Sequence, residues 1–495
     1  MSTTASRRRS PARRTSRGTI GSTASEAEAA LLRALASDFN SLPTATELTD
    51  KFPGVSVGKD GTTVADWYGN IDALGTQRGD KESEVIDECI RRLRTSGDGG
   101  EADLDQTLDP GARIMEIDGW EGEDGKPEWV LPVDGKARSG RSRMLFLHGG
   151  GYQWYSPSHP YRPLTTRLAS CTGLPILAID YRLCPAHPFP AAVRDALYAL
   201  AWVWRHGPPP DSAMSATHWT DEPADAIFVC GDSAGGGLAL AMISAVALGE
   251  LAPGVPLPAF CDELKLPTAL GLISPWTDLT AALPSYKTRA WDDTASTGDP
   301  VFSDGDAEKE IRECREGNES YGGGADLADA RISPVFMRAD LLRNFLPPTL
   351  LVVGDAEVML CDSVELAARA CEARVPPAET VSAGLVPRVS LRIYRRMWHV
   401  FPMYTEACQQ EPRIMWSTAQ GDVGRALAPA ILALQDIRDW CHLHDPQLCR
   451  RGSADRLPRI VSSVYTLWCI VIPILVALLL GSLWWDALVV KHDSW

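Results

Sequence analysis

One stretch constrains the fold more than any other. Ile227, Phe228 and Val229 form a short apolar run, Gly231-Asp232-Ser233-Ala234-Gly235 follows, and residues 238–248 are rich in Ala and Leu. The run reads as a buried strand and the segment after the motif as a helix. Strand, tight turn and helix together are the setting in which Gly-x-Ser-x-Gly makes a nucleophile elbow. The reason is crowding. A serine hydroxyl reaches outward only from a sharp turn, and side chains flanking that turn would clash, so Gly231 and Gly235 are small. By itself the motif also fits an ordinary loop, so the rest of the chain has to decide.

Composition bounds the alternatives. The chain has 495 residues, of which 45% are hydrophobic, enough for one large or two medium domains with a sizeable core. A net charge of -16 argues against nucleic acid, whose phosphates need a basic face. The 12 cysteines are scattered and none stands in a Cys-x-x-Cys pair, so zinc-site spacing is absent. Cys230 and Cys361 lie inside apolar segments and read as buried thiols, in keeping with a reducing compartment. Neither a metal nor an organic cofactor is expected.

Residues 1–24 are Arg, Ser and Thr with almost no large apolar side chain, a tail that cannot bury a core. They also lack the apolar segment of a secretory signal. Leu31, Leu32, Leu35 and Phe39 recur at helical spacing, as do Val85, Ile86, Cys89, Ile90 and Leu93. Residues 25–109 therefore read as a short helical layer ending in a Gly- and acid-rich linker. Strands and helices alternate after it. Strands are expected at 112–117, 128–133, 143–147, 175–181, 227–229, 269–273, 349–353 and 389–394. Helices are expected at 164–170, 191–204, 238–248 and 362–373. This order predicts a mostly parallel sheet covered on both faces, within a domain of residues 110–445. Residues 276–346 are long, polar and weakly periodic, and read as a functional loop or lid.

The histidine and acid that a serine needs should lie downstream, the acid after one late strand and the histidine after the next. Gly354-Asp355-Ala356-Glu357 supplies acids directly after the strand 349–353, and Met397-Trp398-His399-Val400-Phe401 follows the final strand. Ser233, then acid, then His399 is the chain order of an α/β-hydrolase. Upstream, His148-Gly149-Gly150-Gly151 follows a strand. A tetrahedral intermediate places negative charge on the former carbonyl oxygen, and glycine lets backbone N–H groups approach it.

These pieces resemble the hormone-sensitive-lipase-like group of α/β-hydrolases, also called the GDXG family. The resemblance rests on His148–Tyr152, the run Asp180 to Pro190, Gly231–Gly236, Ile273-Ser274-Pro275-Trp276-Thr277-Asp278, Ile332-Ser333-Pro334 and the His399 segment. It implies hydrolysis of carboxylic esters by a Ser233–His399–acid triad and an N-terminal helical cap over the site. The oxyanion donors it implies are the N–H groups of Gly150, Gly151 and Ala234, with His148 shaping the loop. Two departures stand out. Ala186 stands where the family usually has Glu. The family acid is commonly Asp, and alignment on Asp362-Ser363 puts Glu357 at its position; Asp355 is the main rival and Asp362 a weaker one.

The last stretch differs in kind. From residue 460 to 485 there is no charge over about 26 residues, more than a bilayer requires, with Tyr465 and Trp468 near one end and Trp484 and Trp485 at the other. The segment is expected to be a transmembrane helix between a basic linker (446–459) and a short tail (486–495), so the chain should be tail-anchored. Arg450, Arg451, Arg456 and Arg459 on its N-terminal side predict a cytosolic catalytic domain, with the endoplasmic reticulum as the expected membrane. The bilayer and an apolar, lipid-like ester are the expected partners. Membrane esterases of the steryl acetyl hydrolase and arylacetamide deacetylase type resemble this layout, which makes an acetyl ester the first substrate to test. Two other readings use the same fold. A ligand-binding protein of the gibberellin-receptor kind would lack the catalytic histidine, whereas His399 is present. An amide hydrolase would share the triad.

Overall fold

The computed structural model describes residues 90, 108–109, 111–123, 125–132, 140–209, 219–292, 297–301, 307–373, 389–394, 396–404 and 428–446. All but Pro446 belong to one unit, Met1–Asp445. The expected tail, most of the helical cap and the uncharged run 460–485 lie outside the described residues. Of the cap, Ile90 is described as helical and half-buried against the core. Among the described residues no helix is long and apolar enough to cross a membrane.

Among the described residues, ten strands alternate with helices. Their ranges are β1 Arg113–Glu116, β2 Glu128–Leu131, β3 Ser142–Leu147, β4 Ile176–Ile179, β5 Ala226–Asp232, β6 Glu250–Ala252, β7 Val255–Pro256, β8 Ala269–Ile273, β9 Thr349–Gly354 and β10 Val389–Tyr394. The helices are α1 Arg162–Thr172, α2 Ala191–Arg205, α3 Ser233–Leu248, α4 Ser285–Thr288, α5 Ala307–Gly322, α6 Ala339–Phe345, α7 Leu360–Glu372 and α8 Ala428–His444. Eight strands form one sheet in the order β1-β2-β4-β3-β5-β8-β9-β10, and β6-β7 is a separate hairpin. The pairs from β4 through β10 are parallel; β2 runs antiparallel to both β1 and β4.

The parallel strands are apolar on both faces, and the sheet buries both. Leu145, Leu147, Ile227, Val229, Leu270, Leu272, Leu351 and Val353 join the core under α2, α3, α6 and α7. Their alternating neighbours Met144, Phe146, Phe228, Cys230, Ala269, Ile273, Leu350 and Val352 join a second core under α1 and α8. The side-chain period of two therefore sends successive residues of one strand into different cores. Cys230 and Cys361 are both buried free thiols, as expected.

Two expectations are corrected. The segment 276–346 is not a structureless loop: it contains α4, α5 and α6. The helix α5 reads Ala-Glu-Lys-Glu-Ile-Arg-Glu-Cys-Arg-Glu-Gly-Asn-Glu-Ser-Tyr-Gly. Glu, Lys and Arg favour helix intrinsically, and Ala307, Ile311, Cys314 and Tyr321 recur at helical spacing, but the stripe is sparse among charged residues. The second correction is that α3 begins at Ser233 rather than 238. Its first five residues include Gly235, Gly236 and Gly237, poor helix formers that are retained because of what packs against them.

The C-terminal helix α8 is part of this fold rather than an appendage. Ile437 is fully buried, and its side chain covers Gly271 of β8, where an added Cβ would lie 3.4 Å from Ile437 Cγ2. Ile437→Ala is expected to destabilise the domain by about 2–5 kcal/mol through lost burial and a residual cavity. A urea midpoint unchanged from wild type would show that α8 is not integral to this core.

Candidate active site

The functional side chains predicted from sequence come from loops at the carboxyl ends of adjacent strands, the usual location of sites in open α/β sheets. Ser233 stands where β5 turns into α3. Its φ is +48°, a left-handed conformation costly for a residue with a Cβ. The turn leaves no alternative. A Cβ on Gly235 would lie 2.0 Å from the Leu147 carbonyl oxygen, and one on Gly231 would lie 2.7 Å from that of Gly235. The glycines at both ends of the motif are thus enforced by backbone packing on backbone. Ser233 is 4% exposed, and its carbonyl accepts the Trp276 N–H at 2.8 Å.

The loop after β3 is fastened to this elbow. Asp232 accepts the Gly149 N–H at 3.0 Å with Oδ1 and the Tyr161 hydroxyl at 2.9 Å with Oδ2. Burial pushes the Asp232 carboxyl up to about 7, against the pull of these donors. His148 is fully buried, stacks on Tyr181 with centroids 4.2 Å apart, and contacts the Gly149 carbonyl through Nδ1 at 2.7 Å. Tyr181 donates its hydroxyl to the His148 carbonyl at 2.7 Å. Burial lowers the His148 imidazole to about 4, so it is neutral at ordinary pH. Beyond it the chain turns through Gly150 (φ +99°) and Gly151 (φ +61°), and the Gly150 carbonyl takes the N–H groups of Gln153 and Trp154. Ala234 lies in the first turn of α3, where backbone N–H groups have no partner within the helix.

Glu357 and His399 lie close to one another, after β9 and β10. Glu357 follows β9, His399 follows β10, and Oε1 lies 4.0 Å from Nδ1, within ion-pair range but beyond a hydrogen bond. Both are almost wholly buried, Glu357 at 0% and His399 at 3% exposure. The other carboxylate oxygen, Oε2, accepts the Ser274 hydroxyl at 2.7 Å and the Gly354 N–H at 3.2 Å. Burial pushes the Glu357 carboxyl up to about 8, with those two donors opposing it, and pushes His399 down to about 4. A charge on either group alone is therefore disfavoured, while a carboxylate beside an imidazolium offsets both penalties.

The rival acids have other partners. Asp355 Oδ1 accepts the Arg396 N–H at 2.5 Å, which ties the turn after β9 to the turn after β10. Asp362 Oδ1 accepts the N–H groups of Thr277 and Asp278 at 2.7 and 2.8 Å. A further carboxylate escaped the sequence reading. Asp299 is fully buried, raised to about 6 by burial, and in electrostatic range of both His399 and Glu357. It accepts the Val358 N–H, next to Glu357, and the Val301 N–H, each at 3.1 Å. No motif surrounds it, and 58 positions separate it from Glu357, so nothing local could have revealed it. Ser274 lay inside a quoted motif, but its partners were not legible. Among the described residues no cluster of His, Cys, Asp and Glu is arranged to hold a metal.

The α/β-hydrolase fold family matches residues 144–403, more than half of the chain. The chain is 32% identical over 278 residues to an acetyl-hydrolase of Streptomyces hygroscopicus, covering 56% of this chain and 72% of that one. It is 29% identical over 271 residues to an esterase of Acinetobacter venetianus, covering 54% and 71%. Among solved structures it is similar to EstE7, a hormone-sensitive-lipase homologue from a metagenome library, at 27% identity and a TM-score of 0.49, covering 74% of this chain and 97% of that one. The chain belongs to the α/β-hydrolase fold family, and its motifs resemble the hormone-sensitive-lipase-like group.

Proposed function

We propose that this protein is a membrane-anchored serine carboxylesterase whose substrates are short-acyl esters, acetyl esters first, of apolar alcohols such as sterols. The observations that carry the reading are the strained elbow of Ser233 after β5 and, in the same sheet, the buried His399–Glu357 pair after β10 and β9. The names of the relatives, an acetyl-hydrolase and an esterase, support the same bond type.

In this mechanism Ser233 Oγ attacks the ester carbonyl while His399 takes its proton. The N–H groups of Gly150, Gly151 and Ala234 stabilise the oxyanion. The C–O bond to the alcohol breaks, and His399 returns the proton to the leaving oxygen. Water then attacks the acetyl-Ser233 ester by the same route, releasing acetate and regenerating the hydroxyl. Glu357 holds the imidazole in the productive tautomer and stabilises the imidazolium that each proton transfer creates. The 4.0 Å gap closes when that charge forms, since apo geometry at such pairs is often loose.

Ser233→Ala and His399→Ala should each lower turnover of p-nitrophenyl acetate by roughly 10³-fold or more with the fold retained. Near-wild-type hydrolysis by the Ser233→Ala protein would end this reading. A fluorophosphonate probe should label wild type and spare Ser233→Ala, whereas a binding-only protein would take up no label at all. Parallel assays with the matching anilide separate ester from amide hydrolysis.

The choice of acid is tested separately. Glu357→Gln should impair turnover far more than Asp355→Asn, because Asp355 is engaged with the Arg396 backbone while Glu357 faces the imidazole. An inactive Asp355→Asn protein beside a healthy Glu357→Gln protein would reverse the assignment.

The anchor is the uncharged run 460–485, whose length and flanking aromatics suit a bilayer. It would hold the cleft beside a membrane and its lipid-soluble esters, with the endoplasmic reticulum and a cytosolic catalytic domain as the preferred placement. The full chain should stay with membranes through alkaline carbonate, and a chain lacking 460–485 should be released. Retention of both would refute this anchor.

A further inference from the structure

We propose that Ser274 is a positioning residue of the reaction, its single hydroxyl joining the acid to the loop that carries the base. The inference rests on the esterase reading above and extends it.

Ser274 follows β8, is fully buried, and has φ +45°. Its hydroxyl has one hydrogen to give. Oγ accepts the Val400 N–H at 3.2 Å and lies 2.7 Å from Glu357 Oε2, so the hydrogen is directed at the carboxylate. Val400 is the residue after His399 and has φ +52°, a genuine outlier for a β-branched side chain. Strained backbone at both ends of one short hydrogen-bonded link implies that the surroundings hold it in place. The Ser274 N–H is itself anchored on the Val352 carbonyl of β9 at 2.7 Å. One side chain on β8 thereby fixes the acid after β9 and the base after β10.

The link also acts on charge. Glu357 is faced by Asp355, which opposes its ionisation, by Asp299, whose own ionisation Glu357 opposes, and by His399. Against them stand two donors to Oε2, Ser274 and Gly354, and the hydroxyl is the shorter contact. Without the hydroxyl, the carboxyl would ionise at still higher pH, and an imidazolium beside it would be less well balanced.

The test uses Ser274→Ala and Ser274→Gly in the full chain, assayed with p-nitrophenyl acetate across pH. Glycine suits φ +45°, so it removes the hydroxyl without backbone strain. Both variants should lose about 10- to 100-fold in kcat at pH 7, with KM little changed, because a hydrogen bond to a charged group is lost. The acid limb of kcat/KM should move upward by about one to two pH units, since the lost donor favoured the carboxylate. Ser244→Ala removes another buried hydroxyl, one without a hydrogen-bond partner in α3, and should leave both quantities unchanged. A Ser274→Gly enzyme with wild-type kcat and an unshifted pH profile would overturn the proposal and leave the esterase reading standing. A wild-type protein that does not hydrolyse the ester would overturn both.

Discussion

The structure depends on backbone meeting backbone at the carboxyl ends of β3 and β5. The Leu147 carbonyl occupies the space where a Cβ on Gly235 would stand, so strand and helix approach more closely there than any side chain permits. That approach forces Ser233 into the left-handed region. It also brings Asp232 within reach of the Gly149 N–H, coupling the elbow to the glycine loop. The cost of the strain is offset by the sheet around it, whose central strands are buried on both faces. Among the described non-glycine residues with positive φ, Ser233 and Ser274 directly follow β5 and β8, and Arg396 and Val400 lie in the segment after β10. Strain concentrated there and maintained by a rigid sheet is characteristic of a pre-organised site.

The sheet was legible in the sequence because parallel strands leave an unambiguous mark. Val-, Ile- and Leu-rich runs such as 349–353 have no polar face, and the structure buries every residue of β9. The order of Ser233, acid and His399 was legible for a related reason, since each comes within a few residues of the end of a strand. Elements that earn their place by tertiary contact alone were not. The first five residues of α3 include three glycines, which no propensity would assign to helix, and the charged α5 carries only a sparse apolar stripe. Asp299 belongs to the same class. Its importance lies in where the chain folds back, and the pattern around residue 299 contains no trace of that.

The choice between Asp355 and Glu357 shows where sequence proximity stops being informative. Both are acidic and both follow β9 within three positions. Asp355 is placed early enough in the turn to accept a backbone N–H from Arg396, which spends its carboxylate on joining two turns. Glu357 is carried two residues further, into the interior, where its neighbours include a histidine, a hydroxyl and the Gly354 N–H.

A glutamate in that position raises a problem that an aspartate would not. One more rotatable bond means more side-chain freedom to lose, and a carboxylate that wanders does not orient an imidazole. The structure restrains it from one side only. Oε2 is held by Ser274 and by the Gly354 N–H, while Oε1 has no hydrogen bond among the described residues and is the oxygen nearest His399. Two tethers on one oxygen fix the plane of the carboxylate and leave the other oxygen free to meet the imidazolium. The extra methylene is thus accommodated by an anchor on the neighbouring strand, and the site's precision comes from β8 as much as from the strands that bear the acid and the base.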